Sequence, residues 1–145
     1  MRFRKFLLQE EGQIVRHIIV IGVVVALVVL VLAEAGPIVW LRISSIEDAE
    51  DVANAAAFQY KMFNKEEDAI SEVAAKMQMM GYSDEEIKES SVVFYPIGAN
   101  QKTSVKVTIV RYAKTLITRH INALKKFARV ATSKEASVST ATGEQ

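Results

Sequence analysis

Cysteine is absent from the 145 residues, which removes disulfides, thiol catalysis and cysteine-based zinc sites from consideration. Histidine occurs only twice, as His17 and His120, too far apart in sequence to suggest a metal motif. No glycine-rich phosphate loop, HExxH helix or G-x-S-x-G elbow is present. The carboxylates fall at helix starts and on polar faces, where capping and solvation account for them. His120 sits on an apolar stripe, where a satisfied or interface histidine is the ordinary reading. No enzyme, cofactor or metal centre is therefore expected. The formal net charge is only +1, so nothing points to nucleic acid.

Apolar residues make up 50% of the chain, and much of that content lies in one block. Ile18 to Ala33 reads IIVIGVVVALVVLVLA, and extension through Glu34 to Leu41 adds a single acid. A spanning helix needs about 20 mainly apolar residues, and lipid forces a lone span to be helical despite its valines. A core helix of so small a protein would keep a polar face. The rest, roughly 100 residues, suffices for one modest core. The reading is thus a basic leader at 1–12, a transmembrane helix at 13–41, an exported domain at 42–138 and a flexible tail at 139–145.

Arg2, Arg4, Lys5 and Arg16 precede the block, while Glu47, Asp48, Glu50 and Asp51 follow it. Orientation follows basic residues, so the N-terminus is expected in the cytoplasm and the domain outside. Trp40 and Arg42 suit the far interface. A cleaved secretory signal is the competing reading, but the apolar run exceeds the usual ~7–15 residues. Its nearest cleavage candidate, Ala33-Glu34-Ala35, is interrupted by the acid. Glu34 either reaches water or pairs with a cation on a neighbouring helix.

Gly36-Pro37 is expected to interrupt the helix with a kink. Beyond it Ile43, Ile46, Ala49, Ala53, Ala56, Ala57, Tyr60 and Phe63 mark one face of an amphipathic stem. Asn64 would cap a second helix over 65–80, its stripe being Ala69, Ile70, Val73, Ala74, Met77 and Met80, and Gly81 would stop it. Ser83-Asp84-Glu85-Glu86 is a capping-box pattern opening a short helix to about Glu89. Ser90 to Tyr95 and Val105 to Ile109 read as an antiparallel hairpin. Leu116, Ile117, His120, Ile121, Leu124 and Phe127 recur at helical spacing, predicting a basic amphipathic helix between Tyr112 and Ala128. A last strand could run from Arg129 to Val138. The fold class is α+β: a membrane helix and stem, then a hairpin or three-stranded sheet packed on helices.

Charge is divided along the exported part. Residues 47–89 carry twelve acids and four bases, whereas 102–134 carry nine bases and no acid. Either the halves face each other within one fold or are merely solvated, or they pair head to tail between copies; a basic helix lying on anionic lipid is a third option.

The segment Glu11-Gly12-Gln13-Ile14-Val15-Arg16-His17, followed at once by the apolar helix, resembles the start of type IV pilin-like proteins. More narrowly it is similar to the TadE/TadG-like minor pilins of tight-adherence (Flp) pilus systems. The small-residue stem Asp51 to Ala57 and the valine-rich strand Val105 to Val110 agree with that layout. The resemblance implies cleavage after Gly12 by a prepilin peptidase, making Gln13 the new N-terminus. It also implies a structural or assembly role in a surface pilus or secretion apparatus, with the bilayer, other pilin-like subunits or further copies as partners. Such pilins carry glutamate at the fifth residue after the cut, a place taken here by His17. His17 and Glu34 are the helix-assembly candidates. The alternative is a retained leader anchoring an exported binding module outside any filament.

Overall fold

The computed structural model describes residues 2–117, 121 and 123–141, with side chains from Gln13 onward. Helix α1 (Arg2–Phe63) runs unbroken, with Pro37 inside it. The expected interruption at Gly36-Pro37 is thus corrected: proline deletes one amide hydrogen bond, and the long ladder on both sides holds the segment helical. After α1 come α2 (Glu66–Met79), α3 (Asp84–Glu89), β1 (Ser91–Tyr95), β2 (Ser104–Tyr112), a 3₁₀ turn at Lys125–Phe127, and β3 (Arg129–Ser137). The strands form one antiparallel sheet in the order β1-β2-β3. The α+β class and the three-stranded sheet agree with the sequence reading.

Local chemistry sets the boundaries. Asn64 adopts a left-handed backbone, φ 52°, and its N–H donates to Tyr60 O at 2.7 Å. It ends α1 rather than capping α2, since asparagine tolerates the left-handed region. Lys65 takes the N-cap place of α2 without a side-chain cap, and Glu66, Glu67 and Asp68 face the positive helix end instead. Gly81, at φ 83°, closes α2: its N–H reaches Gln78 O and that of Tyr82 reaches Met77 O, the Schellman pattern. The capping box of Ser83 and Glu86 forms as expected. Tyr95-Pro96 is a cis peptide at the end of β1.

The core is the alanine side of the α1 stem packed against the sheet and α2. Ala49, Val52, Ala53, Ala56, Ala57 and Tyr60 meet Ala69, Val73 and Met77 of α2 and Phe94, Val105, Val107 and Ile109 of the sheet, all buried. Methyl side chains let these backbones approach closely, while each buried valine or isoleucine contributes roughly 1.5–3 kcal/mol over its exposed state. The Tyr60 and Phe94 rings meet at 5.3 Å with a 44° tilt. Ile43, Ile46 and Phe63, expected on the buried face, are exposed. Ser45 and Ala49 define the covered side, and at 100° per residue Ile43 points about 160° away from Ser45.

The segment between β2 and β3 departs most from expectation. Residues 113–117 are not helical, and among the described residues of this segment only the short turn at Lys125–Phe127 approaches a helix. His120 lies outside the described residues. Helical spacing misleads here because the apolar residues that carry it are not buried on a common face: Leu116, Ile117, Ile121 and Phe127 are all exposed. At the other end Lys61 Nζ donates to the carbonyls of Ser139 (3.2 Å) and Ala141 (3.1 Å), and Ala141 is buried. The stretch read as tail therefore lies against α1 as far as Ala141.

The divided charge is paired within the molecule. Lys102–Glu66, Arg111–Asp48, Lys125–Glu85, Arg129–Glu89 and Lys134–Glu50, at 3.0–3.2 Å, each join the basic half to the acidic half.

Candidate membrane-exit site

Every residue from Gln13 to Leu32 is exposed, and from Ala33 onward α1 gains a covered side. Ala33, Glu34, Pro37, Ile38, Leu41, Ser44 and Ser45 are half-buried or buried, spaced by one helical turn. The domain therefore reaches down α1 to Glu34 and stops. The bare segment is 20 residues, about 30 Å long, and its first residues include Arg16 and His17.

The lowest contact is made by a strap. Arg111 Nη1 binds Asp48 Oδ2 at 3.1 Å, and the Ile117 N–H donates to Glu34 Oε1 at 2.7 Å. Residues 111–117 thus descend alongside fourteen residues of the helix, about 21 Å of rise, with the Arg111 and Glu34 side chains spanning part of that length. Ala113 and Thr115 point inward, Lys114 and Leu116 outward. Two further strap amides are partnered: Ala113 N–H donates to Ala128 O (2.8 Å) and Thr115 N–H to Ala113 O (3.0 Å). Sequence reasoning singled out Glu34 as an acid needing a partner. A main-chain amide 83 positions away leaves no pattern by which to find it.

Above the strap a polar cluster fixes its origin. Asp48 Oδ2 also accepts the Tyr82 hydroxyl at 2.7 Å, and the Arg111 guanidinium lies 4.5 Å from the Tyr82 ring centre. Burial pushes the Tyr82 phenol well above its ordinary value, and its bond to the Asp48 carboxylate adds to that. The end of β2 is thereby tied to α1 and to the turn after α2.

The remaining candidates lie elsewhere. Gly12 and Gln13 are inside α1. His17 is exposed, and its Nδ1–H donates to Gln13 O at 2.7 Å, one turn back. Seventeen residues, about 25 Å of helix, separate His17 from Glu34, so the two do not meet within one chain. Among the described residues no group of three His, Cys, Asp or Glu side chains could hold a metal ion. Comparison with family models, curated proteins and solved structures finds no match to this chain.

Proposed function

We propose that the protein is a membrane-anchored structural or assembly component of a surface pilus or secretion apparatus, of the minor-pilin kind. The observation that carries this reading is the bare apolar stretch of α1 below a small domain built directly on the same helix. A long apolar N-terminal helix is compatible with membrane anchoring. The pilin-like part rests on the Gly12-Gln13 junction just before the apolar run. In an assembly the valine-rich stretch would pack against neighbouring helices by van der Waals contact.

A second reading has its own support. The five cross-half ion pairs engage within one molecule much of the charge that could align copies head to tail. This favours a single-pass anchor carrying a binding module that enters no filament.

Mass spectrometry of the membrane-extracted protein separates the two. A mature N-terminus at Gln13, abolished by Gly12→Trp, supports the pilin reading. An intact N-terminus supports the retained anchor. Release of the full chain by alkaline carbonate would remove both.

A further inference from the structure

We propose that the tip of the strap, Leu116 and Ile117, enters the outer leaflet beside the helix, so that the domain holds the bilayer at a second point. This rests on the anchored reading above. Arg16 and His17 are the last polar residues before the apolar run, and about 20 residues counted from Ile18 place the far hydrocarbon boundary near Pro37. Glu34 lies three residues short of it, about 4.5 Å inside. Trp40 lies the same distance outside, 73% exposed, at the depth where indoles collect.

The Ile117 amide is fixed to the Glu34 carboxylate at 2.7 Å, so the strap tip shares the depth of Glu34. Leu116 there is 65% exposed, an unfavourable position in water and a favourable one among acyl chains. Unpaired amides are costly in lipid, and three of the five strap amides, those of Ala113, Thr115 and Ile117, have partners. Lys114, exposed just above, is placed to meet lipid phosphates. The occupant of this apolar tip is therefore lipid. The amide held by Glu34 gives that acid a polar partner at a depth where an unpartnered carboxylate is costly.

The test uses the full chain in phosphatidylethanolamine–phosphatidylglycerol vesicles, with a nitroxide on the lipid acyl chains as quencher. Without native cysteine, Val28→Cys, Leu116→Cys and Lys106→Cys each carry one environment-sensitive fluorophore. Leu116 and Lys106 are exposed, so neither substitution disturbs the core. Quenching at positions 28 and 116, severalfold above that at 106, supports the proposal. Quenching at 28 with position 116 as unquenched as 106 overturns the strap inference and leaves the span intact. A blue-shifted, unquenched label at 116 means protein covers the tip and overturns it too. No quenching at 28 overturns the spanning helix itself.

Discussion

One carboxylate oxygen of Glu86 accepts the main-chain N–H of Tyr112 at 2.8 Å. Its other oxygen takes the N–H and hydroxyl of Ser83, at 2.8 and 2.9 Å. A local helix cap thus doubles as the clamp on the last residue of β2, where the strap begins. Glu86→Ala leaves the Tyr112 amide without this acceptor, and destabilisation by about 1–3 kcal/mol is expected. Denaturant unfolding of the full chain in detergent, followed by circular dichroism, measures it. An unchanged midpoint would show that the clamp is dispensable.

The same carboxylate sets an acid dependence. Burial acts to raise the Glu86 carboxyl, but bonds donated by Ser83 and Tyr112 outweigh it and hold the group below the ordinary glutamate value. Glu89 is lowered by bonds from the Tyr112 hydroxyl and Arg129. A carboxylate lowered in the folded state adds stability that is complete above its unfolded value, about 4.3, and is lost as pH falls through the folded one. The domain should weaken as pH drops below that range. In Glu86→Gln/Glu89→Gln the acid limb should be shallower, and equal slopes in variant and parent would reject the assignment.

Ser45 is buried on α1, and its hydroxyl has no hydrogen-bond partner among the described residues. Ser45→Ala removes the desolvated group, so stability should stay level or rise by about 1 kcal/mol. A clear loss in a thermal melt would mean that the hydroxyl has a partner in solution.

Ala56 is fully buried in the stem. Ala56→Leu adds three carbons where backbones approach closely, at an expected cost of about 1–3 kcal/mol. Ile43→Ala, on the uncovered side, should leave the domain's unfolding midpoint unchanged. Equal effects of the two substitutions would contradict the packing described.

Glu34→Ala removes the acceptor of the Ile117 amide. Hydrogen exchange in the strap should accelerate, roughly tenfold for about 1.4 kcal/mol of lost hydrogen bonding, while β2 keeps its protection. Unaltered exchange at Ile117 would place the strap's anchorage elsewhere.

What the sequence disclosed was chiefly local. Ser83-Asp84-Glu85-Glu86 announced a cap that forms as written, and Val105, Val107 and Ile109 alternate as a half-buried strand does and are buried. Facing of the acidic and basic halves, one of the accounts open for the charge pattern, is realised by the ion pairs. Elsewhere a long-range partner outweighed periodicity. Leu116 and Ile117 share helical spacing with Leu124, yet contacts with Asp48 and Glu34 hold residues 111–117 along α1 on a non-helical path. Similarly, Asn64 could serve either helix flanking it, and its bond to Tyr60 decided for the first. Of the site, Glu34 was visible as an oddity in an apolar run, whereas Ile117 contributes a main-chain amide, which every residue but proline possesses.

α1 passes from the bare stretch into the domain core as one helix, with Pro37 inside it, so the two are joined by a rod and not by a loop. If the bare stretch spans a bilayer, as proposed, the azimuth of the domain about the membrane normal follows the rotation of the rod below it. A neighbour packing on the bare stretch and a neighbour packing on the domain would then have to arrive at matched angles.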